Sequence, residues 1–360
     1  ASKQASKQAS KQASKQASKQ ASKQADISIL RILATCAVVF LHTNNTLSNN
    51  NDAFNLKKGE VIFFDTNTFL MNWAVPMFLM ITGTLLLDKN RIISIKDCLC
   101  KYVRRMILVL CVFGIPFAIL ENFFDSRTLS ISIFLNAIIN VINGKSWSHL
   151  WYVYSLIGIY LLLPLLKVYV DNSNRGIQLY ILVILFICNF VVKPFNIVCN
   201  TTVDLQVPIV GFTVFYILLG HYLSEEVPHI LKNKRICFLG IITLVGGIIV
   251  ISILFSSYNH DLLSYNSPII SAIAMLLFCF TKGFTCHDIK KIWKIDRLCF
   301  GVYLIHPVLI NMMYKLLKIT PVQIGLLPFS TVLFGLTFIL ISFIIAGVMY
   351  KINILKKYVL

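Results

Sequence analysis

About ten apolar stretches follow one another through this chain, each close to the length that crosses roughly 30 Å of hydrocarbon as a helix, and they leave it little choice of fold. They lie near 27–42, 61–87, 104–124, 148–167, 177–193, 207–223, 235–256, 266–283, 298–316 and 326–350. Inside a bilayer every backbone N–H and C=O must be satisfied within its own segment, so helices are expected. Composition points the same way, with 57% hydrophobic residues, 13% charged residues and a mean hydropathy of +0.76. The sequence therefore predicts an all-α polytopic membrane protein of about ten transmembrane helices. An even number of spans puts both termini on one side. The loops of that side hold most of the lysine and arginine, among them Lys89, Arg91, Lys96, Lys101, Arg104, Arg105, Lys290, Lys291, Lys294 and Arg297, which places both termini in the cytoplasm.

The net charge of +18 resembles that of a nucleic-acid-binding protein. Six of the lysines lie in an N-terminal repeat, however, and most of the other cations fall in short loops between apolar runs, so they read as topology determinants and no nucleic-acid partner is expected. The 10 cysteines include no CxxC pair and mostly lie in or beside apolar runs, as reduced packing residues do. No set of His, Cys or acidic residues stands at metal-ligand spacing, so no metal is expected.

Residues 1–24 are six copies of Ala-Ser-Lys-Gln. They have no apolar face and are expected to be disordered, or at most a fraying polar helix. The tetranucleotide GCAA, read in triplets as GCA AGC AAG CAA, encodes this tetrapeptide, so an uninterrupted tract would shift frame on gain or loss of one unit and switch expression on and off. An engineered spacer is the competing origin. The absence of an initiator Met is what a processed or incomplete product would show. Residues 25–352 then form one membrane domain, and 353–360 a short basic cytoplasmic tail, with no soluble catalytic domain expected.

Within the first span, Arg31 and His42 are eleven residues apart, which at about 100° per residue returns them to nearly one helix face, roughly 16 Å apart along the axis. One helix would thus offer a cation near one membrane surface and an imidazole toward the other. Snorkelling to headgroups is the alternative for Arg31, and an interfacial helix end the alternative for His42. In the second span Pro76 predicts a kink, and Thr82-Gly83 predicts close approach of another backbone. Residues 128–143 carry Asn136, Asn140 and Asn143 and read as an interfacial or re-entrant segment. His306 lies about two turns inside the ninth span beside Pro307, where an imidazole is costly without a partner. A carbonyl freed by the proline is one such partner.

Five ordered segments resemble the acyltransferase family 3 membrane proteins: Asp26-Ile-Ser-Ile-Leu-Arg31 continuing to His42, Val75 to Gly83, His149-Leu-Trp151-Tyr, Tyr160 to Pro164, and Gly301-Val-Tyr303-Leu-Ile-His306-Pro307. The short architecture is most similar to the O-acetyltransferase branch that decorates lipopolysaccharide and enterobacterial common antigen. The resemblance implies a protein of the bacterial inner membrane with acetyl-CoA as donor substrate, no permanently bound cofactor, and a hydroxyl of a lipid-linked or surface glycan as acceptor. Arg31 and His42 fill the family's Arg-x10-His motif. His42 is the expected base, since imidazole with an ordinary pKa of about 6.5 accepts a proton at neutral pH. Arg31, Lys101, Arg104 and Arg105 are the expected partners of the coenzyme A phosphates. The family's paired-arginine motif is departed from here by Lys101 at its first position. Tyr303 and His306 carry over by position as further catalytic residues. The reading from a different class is a glycan exporter or flippase, whose intramembrane charges would line a pathway without acyl transfer.

Overall fold

The computed structural model describes residues 2–126, 131–203, 211–255, 259–283 and 289–360, with side chains described from Gln24 onward except for residues 123–126 and 259. These residues form helices and no strand. In its described part each expected apolar stretch falls on a helix; 207–210 and 256 lie outside the described residues. In chain order these are α1 (Ser2–Ser48), the pair α2 (Lys58–Met71) and α3 (Ala74–Leu86), α4 (Ile95–Asn122), α6 (Ser148–Asn172), α7 (Arg175–Cys199), α8 (Phe212–Glu225), α9 (Lys234–Leu254), α10 (Pro268–Thr281), α12 (Cys299–Leu316) and α13 (Leu327–Met349). Shorter helices accompany them, among them α5 (Ile131–Ile142), α11 (Ile289–Asp296) and α14 (Asn353–Tyr358).

Among the described residues eight segments are long and apolar enough to cross a membrane, α2 and α3 counting together as one. The other two, α8 and α10, have 14 residues each, a rise of about 21 Å, and are enclosed by longer neighbours. The asparagine-interrupted stretch became the 12-residue α5, too short to span and packed on α4. The helix of the first span continues back through the Ala-Ser-Lys-Gln repeat to Ser2. The repeat's expected lack of packing falls on side chains outside those described.

Pro76 acts where its chemistry requires. Lacking an N–H and crowding the carbonyl four residues earlier, it is followed back by a break at Asn72–Trp73 that separates α2 from α3. The Asn72 side chain uses the break to donate to the Leu263 carbonyl at 2.7 Å. Further along α3, a Cβ on Gly83 would lie 1.9 Å from the Ile217 carbonyl oxygen, and one on Gly220 of α8 would lie 2.1 Å from that of Met80. The two glycines let α3 and α8 meet backbone to backbone, and the Thr84 hydroxyl donates across to the Gly220 carbonyl at 3.0 Å. The close approach expected at Thr82-Gly83 is present, with α8 as the partner.

The architecture is centred on α1, which packs against α2, α3, α11, α12 and α13. Such enclosure explains how one helix tolerates Asp26, Ser28, Thr35, Thr43 and Asn44, all buried. Asp26 accepts the Gly283 N–H at 2.9 Å, and Thr35 and Thr43 return their hydroxyls to carbonyls four residues back. By contrast α7 and α9 are mostly exposed and form the periphery.

The glycine contact yields a first expectation. Gly83→Ala must push α3 from α8 and should cost about 1–3 kcal/mol, lowering the thermal midpoint in detergent by several degrees. Gly246→Ala on α9 has nothing within 4 Å of the added carbon. It should leave the midpoint unchanged or raise it slightly.

Candidate functional site

Three imidazoles from three separate elements converge in the interior. His42 comes from α1, His149 from the 3₁₀ turn that opens α6, and His306 from α12. The ring centroids of His42 and His306 are 5.1 Å apart, those of His149 and His306 5.9 Å, and those of His42 and His149 6.4 Å. His149 and His306 are buried and His42 is half-buried. Phe117 and Trp147, stacked at 4.6 Å, wall the cluster beside His149.

Hydrogen bonding fixes one tautomer. The Nδ1 atom of His306 lies 3.0 Å from the Val302 carbonyl oxygen. A carbonyl only accepts, so Nδ1 carries the proton and, in the neutral ring, Nε2 keeps its lone pair. Among the described residues, Nε2 of His306 and Nε2 of His149 are buried without a partner. A proline one position later removes the usual bond to the Tyr303 carbonyl. The imidazole takes instead the carbonyl one residue before it. An unpaired nitrogen base in the membrane interior is an expense that function commonly explains.

Tyr303 stands beside this cluster, its ring 5.7 Å from His149 and 6.2 Å from His306. Its hydroxyl donates to the His149 backbone carbonyl at 2.5 Å. The group is thereby a brace that holds the 3₁₀ turn against α12, with its proton already committed.

Tyr303 is also a wall of a cavity of about 370 Å³. The other side of that cavity is cationic, with Arg91, Arg105 and Arg297 all lining it. Arg91 donates to the Tyr102 hydroxyl and the Leu85 carbonyl, Arg105 to the backbone oxygens of Val359 and Leu360, and Arg297 lies over the Tyr350 ring. None of the three is paired with an Asp or Glu side chain among the described residues. Arg91 and Arg297 come from loops rich in lysine and arginine, while Tyr152 and Tyr303 line the cavity too, and it is the Tyr303 ring, not the cavity itself, that touches His149 and His306. An elongated anion with a neutral arm fits that polarity: charge held by guanidinium groups, the arm passing between apolar walls toward imidazole.

The sequence-derived residues sort accordingly. His42, His306 and Tyr303 are brought together. Arg105 lines the cavity, whereas Lys101 and Arg104 are exposed and do not. Arg31 lines the cavity too, but its charge is met by Asp296, with Nη1 at 2.8 Å from both carboxylate oxygens. Four contributors went unassigned in the sequence. His149 was visible only inside a matching segment, Arg91 and Arg297 counted only as topology charges, and Asp296 is the lone acid among Lys290, Lys291, Lys294 and Arg297.

A family model described as an acyltransferase domain matches residues 24–351, which takes in α1 from Gln24 through α13 and hence the histidines and every lining residue of the cavity except Leu360. No curated protein and no solved structure gives a significant match.

The brace at Tyr303 is directly measurable. Tyr303→Phe removes one buried hydrogen bond and should cost about 1 kcal/mol of stability. Thermal unfolding in detergent should show that loss, and an unchanged midpoint would mean that the hydroxyl does not hold the turn.

Proposed function

The chain belongs to acyltransferase family 3, and from that premise we propose that it moves an acetyl group from acetyl-CoA to a hydroxyl of a bacterial surface glycan, of the lipopolysaccharide kind. The observation that carries this reading is the cavity joining three arginines without Asp or Glu partners to the tyrosine that touches the histidine cluster. Coenzyme A is polyanionic at one end and ends in a neutral arm bearing the thioester, which is the polarity of that cavity. The excess of lysine and arginine in the adjoining loops supports placing this end in the cytoplasm of the bacterial inner membrane, where acetyl-CoA is made.

The chemistry then assigns roles. The acceptor hydroxyl oxygen attacks the thioester carbonyl as His42 takes its proton. The carbon–sulfur bond breaks, and the coenzyme leaves as thiolate and receives that proton, so the imidazole returns to its starting state. His306, with Nδ1 held by Val302 and Nε2 bare, faces His42 and fixes the ring against which His42 works. Family membership favours this reading over an exporter, since a pathway for a glycan requires no thioester site. The Ala-Ser-Lys-Gln repeat supports phase-variable expression, and codons that interrupt a GCAA tract would remove that part of the reading.

Kinetics in proteoliposomes with labelled acetyl-CoA test the assignment. His42→Ala should lower kcat by about 10²–10⁴-fold with the donor KM nearly unchanged. Replacing Arg91, Arg105 and Arg297 together by Gln should raise the donor KM at least about tenfold with a smaller effect on kcat. The pair Lys101→Gln and Arg104→Gln should leave KM within about twofold. The reverse pattern, in which the Lys101 and Arg104 changes raise KM and the three arginines do not matter, contradicts the cavity as the donor site.

A further inference from the structure

Arg31 of α1 and Asp296, the last residue of α11 and just ahead of α12, form an ion pair, and further along α1 and α12 stand His42 and His306. Nη1 of Arg31 reaches both oxygens of Asp296 at 2.8 Å, and the Ser28 hydroxyl, one turn earlier on α1, adds a bond to Oδ2 at 2.9 Å. The two side chains are only partly exposed, 27% for Arg31 and 14% for Asp296. From Arg31 to His42 is eleven residues, and from Asp296, just ahead of α12, to His306 is ten. At about 1.5 Å per residue the first is a rise of roughly 16 Å along α1, while the second leaves the end of α11, passes the turn at 297–298 and then climbs α12 to His306. Since each helix runs from the ion pair to an imidazole, α1 and α12 run in the same direction. The tie at the one end therefore sets their register at the other. A slip of a single turn, about 5.4 Å, would exceed the whole 5.1 Å separation of the His42 and His306 rings.

We propose that Asp296 is a positioning residue, acting through Arg31 to hold the register of α1 against α12 and so the approach of His42 to His306. The inference rests on the acyl-transfer reading, in which His42 is the base. It changes the part given to Arg31. With its charge met by Asp296 and supported by Ser28, Arg31 is the far half of a strap, and the donor phosphates fall to Arg91, Arg105 and Arg297. The order of effects follows. A strap acts on the geometry of the reacting groups and lowers kcat, whereas a phosphate ligand acts on ground-state binding and raises the donor KM. Misplacement of reacting groups by about 1 Å costs on the order of a hundredfold in rate, so a loosened strap is expected to register clearly.

The experiment uses the full chain in proteoliposomes. Asp296→Asn should lower kcat by about tenfold or more while the donor KM stays within about twofold. Removing one partner leaves the other charge poorly compensated, so the exchange of charges, Arg31→Asp combined with Asp296→Arg, is made beside it. The exchanged pair should recover at least about tenfold over either single change. A raised KM with unchanged kcat in Asp296→Asn, or exchanged charges no better than the single changes, overturns the proposal. A readout without activity separates this from the function itself. With the 10 native cysteines replaced by serine, His42→Cys and His306→Cys should cross-link through a short bifunctional thiol reagent, and Asp296→Asn should reduce the yield several-fold. Undiminished cross-linking refutes the strap. Absent acetyl transfer by the unaltered chain, with cross-linking still dependent on Asp296, refutes the function and leaves the strap standing.

Discussion

The burial of three imidazoles among apolar helices is the constraint from which the rest of the arrangement follows. In the hydrocarbon interior no water stands ready to satisfy a ring nitrogen, so each histidine must be held by protein or left as an exposed base facing its neighbours. His306 is held at Nδ1 by Val302, and the His149 turn by the Tyr303 hydroxyl. Both ties involve α12, and His42 arrives on α1, the helix with the most neighbours. The cluster thus depends on two parallel helices keeping register. Ion pairing at Asp296, close backbone contact of α3 with α8, and the break before Pro76 all serve a packing in which α1 is surrounded.

A second consequence concerns the separation of charge along the bundle. Guanidinium groups gather around a cavity of about 370 Å³ beside the basic loops, and the imidazoles gather apart from it, across Tyr303. Arg31 and Arg105 both line it, yet they differ in what already holds them. Arg31 faces a carboxylate, whereas Arg105 faces backbone oxygens and the Phe300 ring at 5.6 Å. An arriving anion meets an arginine held by oxygens of the last two residues at the second and one already paired with an aspartate side chain at the first. That difference assigns separate duties to two arginines that spacing alone would treat alike.

Much of the fold was legible in the sequence because membrane helices are specified by length and apolarity, which are local properties. The position of Pro76 and the small residue at Gly83 were readable for the same reason. What the sequence did not carry was the identity of partners. Gly83 announces a close neighbour without naming α8. Arg31 and His42 share a face by arithmetic, but Asp296 is 265 positions away and sits in a basic stretch, where a lone acid passes as a solvated charge. His149 belonged to a recognisable segment, yet nothing local placed its ring against His306. Lys101 and Arg104 looked equivalent to Arg105 because adjacency in a cationic run is visible in sequence, whereas which face of α4 meets the cavity depends on tertiary packing.

The central claim is that the cavity delivers a thioester from the arginines to the histidines. The most direct measurement is a structure determined with a non-transferable acetyl-CoA analogue bound. The account predicts phosphate density against Arg91, Arg105 and Arg297, with the acyl-bearing end beside Tyr303 and the rings of His42 and His306. Density for the phosphates at Lys101 and Arg104 with the cavity unfilled, or an acyl end directed away from the histidines, would contradict it.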